Sequence, residues 1–332
     1  MFSLMLLALA AAVSTSPTSD INIPVSYQAG RVMVLARTTN GQTLNLWVDT
    51  GGGGGSGMYL LTKESAGRLH LKISRLVLDR QAVPVAELPK FAPGAGVPPP
   101  AGKYARVMLI PEKGLAGPGD TTHYDGMLGA GYLPGSVETH ERIWTFDYPR
   151  QHLTLQGSGW RPHAAARPTP LHFPLNAQGQ LESGFARIVV HVGGTSLSLL
   201  LDTGATGYPT PVALAAQGGT AAVRATSFIT TSQLEHWHKA HPRWRVVEDA
   251  DRLRPKGKPM RAIEVPDVVV AGWHAGPVWF TERPDANFHD FMSSMMDNQV
   301  EGALGGNLFD HFVMTVDYQE SKAWFRCVRG CK

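Results

Sequence analysis

Two aspartates in this 332-residue chain, Asp49 and Asp202, each open the same triplet, Asp49-Thr50-Gly51 and Asp202-Thr203-Gly204. Two carboxylates held a few ångströms apart cannot both ionise cheaply; one pKa falls, the other rises, and the pair titrates as a unit. The ionised member can take a proton from a water while the protonated member donates to a carbonyl oxygen. Together they activate water against an amide without a covalent intermediate. The chemistry requires Asp at both positions, held rigidly and face to face. The neighbours have matching roles: Gly51 and Gly204 permit a tight turn and close backbone approach, and the hydroxyls of Thr50 and Thr203 can hydrogen-bond across a two-fold and brace the two loops.

Each triplet ends a strand pattern, Leu44–Val48 in the first copy and Leu197–Leu201 in the second. Each strand follows a hairpin dipeptide, Asn40-Gly41 or Gly193-Gly194, with eight positions from the second glycine to the aspartate in both copies. The sequence therefore repeats a strand–turn–strand unit that delivers one carboxylate per copy. Downstream, Leu60–Leu69 and Thr210–Gly218 both predict a short helix, the second with Thr210 as N-cap, Pro211 at the first helical position and Gly218 as the stop. Asp125-Gly126-Met127-Leu128-Gly129 is answered by Glu301-Gly302-Ala303-Leu304-Gly305, glycine-containing strands that would run against the catalytic loops. Each is followed by a β-rich run ending in an acidic-Tyr pair, Asp147-Tyr148 and Asp317-Tyr318. A period of this length is too long for a solenoid and reads as two lobes, 21–156 and 184–332, with a Pro/Ala/Gly-rich linker over 157–183. Further predicted elements are a helix opened by a capping-box pattern at Ser232–Glu235 and ended by Pro242, and strands over Val265–Ala271 and Pro277–Phe280.

Composition agrees with an all-β chain rich in turns: 36 Gly, 24 Pro, 43% hydrophobic residues and no long helical heptads. The formal net charge is only +3, and its one basic cluster, Arg252 to Arg261, is interrupted by prolines and a glycine and reads as a solvated loop, so no nucleic-acid partner is implied. Residues 2–13 form an apolar run with small residues at its end, too short to span a bilayer and fitting the core of a signal peptide within 1–20. Export, to a periplasm or the extracellular space, follows, with no stable membrane anchor. Cys327 and Cys331, the only cysteines, could pair and tie down the tail of an exported chain; free surface thiols are the other reading.

On the two Asp-Thr-Gly triplets with their apolar lead-in strands, on Asp125–Gly129 and on Gly302–Tyr318, the chain resembles the aspartic proteases of the pepsin and retropepsin group, with both lobes in one polypeptide. The resemblance covers both halves in outline. It implies two related β-barrel-like lobes with a few short helices, a cleft between them, Asp49 and Asp202 as the catalytic dyad, a peptide or protein substrate, a monomer, and no metal or organic cofactor. A catalytically inactive peptide-binding or scaffold protein of the same fold is the alternative; loss of one aspartate would mark it, and both are present.

The sequence departs from the family pattern in three ways. Gly52 and Ala205 follow the triplets where pepsin-like enzymes carry a hydroxyl, so the carboxylates receive less hydrogen bonding and should work at mildly acidic to near-neutral pH. The Gly51–Gly55 run is costly to order and softens the first loop. The cleft-covering hairpin lacks its Tyr-Gly signature; Phe91–Tyr104 has the composition of a mobile loop, with Tyr104 as a substitute for the missing tyrosine. Ser56 and Thr206 are further candidates for substrate contact. Other chemistries fit less well. No Lys follows the glycine run as a phosphate loop requires, and Ser56 lacks the last glycine of a nucleophile elbow. His236, His238 and His241 do not share one helix face, so no zinc site is assigned.

Overall fold

A computed structural model describes residues 17–53, 57–78, 80–100, 104–111, 115–135 and 140–332. The apolar leader over residues 2–13, Gly54, Gly55 and Ser56 lie outside the described residues. Strands dominate, with a few short helices, and no helix among the described residues is long and apolar enough to cross a membrane.

The two halves repeat one pattern of hydrogen bonds. In the first, hairpin strands Arg31–Arg37 and Thr43–Asp49 turn at Asn40-Gly41, and Thr43–Asp49 runs parallel to Gly126–Gly129 with Asp49 opposite Gly129. In the second, Arg187–Val192 and Thr195–Leu201 turn at Gly193-Gly194, and Thr195–Leu201 runs parallel to Gly302–Leu304. The parallel strands on which the dyad sits are buried on both faces, which is why their sequences read as near-continuous apolar runs. Asp125 N–H donates to Asn45 O at 2.9 Å, and Glu301 N–H donates to Ser198 O at 2.9 Å; both acceptors stand four residues before an aspartate of the dyad. Leu60–Thr62 then pairs antiparallel with Gly126–Gly129, as Ser227–Thr230 does with Gly302–Leu304.

This symmetry corrects the matching of helices. Thr62 N–H donates to Asp125 O at 2.8 Å and Thr230 N–H to Glu301 O at 2.9 Å, so the helix after Thr62, Lys63–Arg68, corresponds to Thr231–Ala240. Pro211–Gln217 forms as expected, with Thr210 Oγ1 accepting from Ala213 N–H and Pro211 in its first turn, but it belongs to additional chain. Thirteen residues separate Asp49 from Thr62 and twenty-eight separate Asp202 from Thr230. A duplicated sequence with an insertion aligns its local signals wrongly; the strand pairing sets the true register. The same pairing places the N-cap at Thr230, so Ser232 lies inside the first turn, where its N–H donates to Asp285 Oδ1 at 3.0 Å, and no capping box forms. The helix ends at Ala240, before Pro242. The strand expected over Val265–Ala271 is divided at Pro266-Asp267 into the end of Met260–Val265 and Val268–Val270.

A six-stranded layer joins the halves in the order Ile21–Ile23, His152–Leu155, Ile143–Asp147, Phe312–Asp317, Lys322–Cys327, Arg167–His172. Its central pair places Thr145 opposite Thr315, their hydroxyls 2.8 Å apart, on the pseudo-two-fold. Trp144, Phe146, Met314, Val316 and Phe325 point into the main core. The stretch read as a linker supplies a strand of this layer, Arg167–His172, the counterpart of Ile21–Ile23 in the first half. Pro168 and Pro170 disguise it in the sequence. Cys327 and Cys331 are joined as a disulfide.

Candidate active site

The strand ends bring Asp49 and Asp202 face to face, with only 7% and 8% of their surfaces exposed. Each is held from its own loop: Gly51 N–H donates to Asp49 Oδ1 at 2.8 Å and Gly204 N–H to Asp202 Oδ1 at 2.9 Å. The carboxylates also hydrogen-bond to one another. Gly51 sits against the Asp202 carboxylate and Gly204 against that of Asp49; a Cβ on either glycine would collide with the opposite acid. Close approach therefore accounts for both glycines.

The threonines interlock. Thr50 N–H donates to Thr203 Oγ1 at 3.1 Å and Thr203 N–H to Thr50 Oγ1 at 2.9 Å, while Thr50 Oγ1 donates to Leu201 O at 2.6 Å and Thr203 Oγ1 to Val48 O at 3.0 Å. Four reciprocal hydrogen bonds, all buried, fix the two loops against each other. At about 1 kcal/mol each they supply several kcal/mol of clamping across the two-fold.

Burial raises both acids. Asp49 is pushed up to about 6 by burial, opposed by the N–H groups of Gly51 and Gly52 and its bond to Asp202. Asp202 is driven well above the usual carboxylate range, first by burial, then by the charge of Asp49. Near neutrality the pair therefore carries one negative charge and one proton between its two carboxyl groups. Neither Gly52 nor Ala205 contributes a hydroxyl; what opposes burial is the backbone N–H groups and, for Asp49, its bond to Asp202.

Other candidates separate from this centre. Thr206 is buried and its hydroxyl donates to Gly204 O at 2.8 Å, so it braces the second loop from within and does not present its hydroxyl to substrate. Tyr104 lies in irregular chain ahead of the strand Val107–Ile110. The loop expected to cover the cleft, Phe91–Tyr104, is tied down over its described part: Ala92 N–H donates to Arg37 O at 2.9 Å, Tyr132 Oη to Pro98 O at 2.6 Å and Arg142 Nη2 to Pro99 O at 2.8 Å. Its glycine and proline content marked irregular chain, not mobility. Ahead of this loop Ile73–Leu78 and Gln81–Ala86 form a hairpin exposed along much of its length, with Val77 67% exposed. His241 lies outside the helix of the other two histidines, its ring stacked 4.1 Å from that of Trp244.

Sequence reasoning missed Arg31 and Asp120. Their side chains are each 1% exposed and ion-paired at 2.8 Å, with Thr122 and Tyr124 completing the cluster. The hairpin pairs as far as Met33 opposite Trp47, so Arg31 and Asp49 each lie two residues beyond its last rung. An arginine closing a hairpin after Ala29-Gly30 carries no sequence signal for that position.

No family model matches the chain, and neither does any curated protein sequence. Among solved structures it is similar to conglutin gamma, a basic 7S globulin from lupine seeds, at 12% identity over 93% of this chain and 95% of that chain, with a TM-score of 0.46. It is also similar to the basic 7S globulin from soybean, at 13% identity over 95% and 98%, with a TM-score of 0.47. Likeness at this level does not bear on function, which rests on the site itself.

Proposed function

We propose that the chain is an aspartic-type peptidase that hydrolyses peptide bonds by activating water between Asp49 and Asp202. The observation that carries the reading is the paired, hydrogen-bonded carboxylates with both acids raised, Asp202 more than Asp49. Asp49, ionised, takes a proton from a bound water as its oxygen attacks the scissile carbonyl carbon, and Asp202 donates its proton to the carbonyl oxygen. The tetrahedral diol then collapses. Its C–N bond breaks as the amide nitrogen takes the proton held by Asp49 and one diol hydroxyl returns its proton to Asp202, so a carboxylic acid and an amine leave and the dyad is restored. Gly51 and Gly204 keep side chains away from the acids, and Thr50 and Thr203 hold the geometry within the tolerance that catalysis demands. Both acids come from one chain, so a monomer suffices. Export, read from the leader, is supported by the Cys327–Cys331 disulfide.

The alternative, an inactive peptide-binding or scaffold protein, is favoured by one observation, the low exposure of the dyad. Digestion of a peptide library across pH, with and without a statine-type inhibitor, separates the two. Cleavage abolished by the inhibitor and by Asp49→Asn supports the peptidase. Cleavage that survives Asp49→Asn refutes this assignment, and inhibitor binding without cleavage supports the alternative.

A further inference from the structure

The layer that joins the two halves has a second face. Trp144, Phe146, Met314, Val316 and Phe325 turn into the core, and side chains alternate along a strand, so Thr145, Val313, Thr315, Trp324 and Arg326 face away from it. Thr145 lies opposite Thr315, Thr315 opposite Trp324, and Val313 opposite Arg326. The chain leaving His152–Leu155 lies against this face and is fixed by its backbone. Gln156 N–H donates to Ile143 O at 2.9 Å, Gly157 N–H to Asp20 Oδ1 at 2.9 Å, Ser158 N–H to Pro17 O at 2.9 Å and Trp160 N–H to Gly157 O at 3.0 Å. Between this loop and the strands is a cavity of about 260 Å³, room for one ring and an attached polar group.

The polar groups around this cavity have protons to spare. Thr315 is 6% exposed and Gln156 9%. Gln156 Nε2 donates to Thr145 Oγ1 at 2.7 Å, and the hydroxyls of Thr145 and Thr315 share one further hydrogen bond at 2.8 Å. Two hydroxyls carry two protons and that bond uses one, so one O–H remains to donate. Trp324 Nε1, also buried, has no acceptor among the described residues. His163 Nδ1 accepts from Ala165 N–H at 3.0 Å, which puts the ring proton on Nε2. Two guanidiniums, of Arg161 and Arg326, line the cavity and no carboxylate does. Among the described residues neither arginine is ion-paired, and Arg161 Nη1 donates to Trp160 O at 2.7 Å. The apolar part of the lining is led by two indoles, Trp160 and Trp324, packed edge to face at 6.2 Å.

We propose that this cavity binds a small organic anion, a carboxylate carried on a flat ring. The carboxylate takes the spare threonine O–H and the fork of the Arg326 guanidinium, whose planar geometry suits two oxygens, and the ring rests on Trp160. Spare donors, unpaired cations and the absence of a lining acid select negative charge; the indoles select the flat apolar body. Thr145 and Gln156 come from the first half and Thr315, Trp324 and Arg326 from the second, so the bound anion ties the halves together on the face of the layer turned away from the core. The inference stands apart from the peptidase reading and survives its failure.

The probes are benzoate and indole-3-acetate, with benzamide as the uncharged control and inorganic phosphate as the control without a ring, titrated calorimetrically into the full chain. Expected is a single site that binds at least one of the two ring carboxylates about tenfold or more tighter than either control, the order of effect of one charge-assisted hydrogen bond. Arg326→Ala should weaken that binding about tenfold, Arg326→Lys should recover part of the loss, and Trp160→Ala should weaken the ring carboxylates while leaving phosphate unchanged. Asp49→Asn should bind as the wild type does. Failure of both carboxylates to bind up to about 10 mM overturns the proposal. Benzamide binding as tightly as benzoate overturns the selection for charge, and phosphate binding as tightly overturns the selection for a ring. Unchanged affinity in a folded Arg326→Ala protein overturns the placement, and Arg161→Ala, which removes an exposed side chain, decides if Arg326→Ala does not fold.

Discussion

Replacing Asp202 by Asn should abolish turnover and make the protein more stable at neutral pH. The ordinary carboxylate value is 3.8, Asp49 is raised to about 6 and Asp202 further. A group whose folded pKa is raised binds protons more tightly in the native than in the unfolded state, so ionising it weakens the fold. The penalty is absent below about pH 4, sets in between the unfolded and folded values, and is full above about pH 6 for Asp49. A shift of about two units corresponds to about 3 kcal/mol. Asp202→Asn removes the more strongly raised acid and the repulsion it exerts on Asp49, while its amide oxygen can still accept from Gly204 N–H. A gain of about 1–3 kcal/mol at pH 7, seen as a rise of several degrees in Tm, should shrink to nothing below about pH 4. Thermal unfolding of wild type and variant between pH 3 and 8 measures it. A variant less stable than wild type at pH 7, or a difference that does not change with pH, would refute the argument that burial holds both acids above their ordinary values.

The pH–rate profile should rise with an apparent pKa near 6, where Asp49 ionises, and an optimum below pH 3.5 would contradict it. Gly204→Ala should abolish activity although no acid is changed, because the new methyl strikes Asp49; full activity would show the loops are not packed as described. Thr50→Ala loses two buried hydrogen bonds and orphans the Thr203 N–H, a cost of about 2–4 kcal/mol by denaturant unfolding, and Thr50→Ser should recover most of it. Asp120→Ala leaves Arg31 buried without its partner and should destabilise by about 3–5 kcal/mol in the same assay.

The catalytic pair was readable because it lies on a repeated local pattern: an apolar strand, a hairpin dipeptide at fixed distance and an acid at the strand end. Thr210 and Pro211 announced their helix for the same reason, since caps are local chemistry. What escaped was set by contacts between distant segments. Arg167–His172 is a strand because Lys322–Cys327 lies beside it, not because Pro168 and Pro170 favour one. Thr206 carries the hydroxyl a substrate contact would need, but its neighbour is the Gly204 carbonyl. Phe91–Pro100 has loop composition, yet Tyr132 and Arg142 hold it in place. The buried Arg31–Asp120 pair joins segments far apart along the chain, and no window of sequence contains both.

The layer centred on Thr145 and Thr315 has a bearing on biosynthesis. Ile143–Asp147 has its second partner strand in Phe312–Asp317, more than 160 residues later, so the first half leaves the ribosome with an unpaired inner edge. Until the last strands arrive, that edge is a template for pairing with another chain. Contacts of such long separation also close slowly. A nascent chain stalled before residue 312 should therefore be prone to aggregate, and the two halves should not refold as independent pieces.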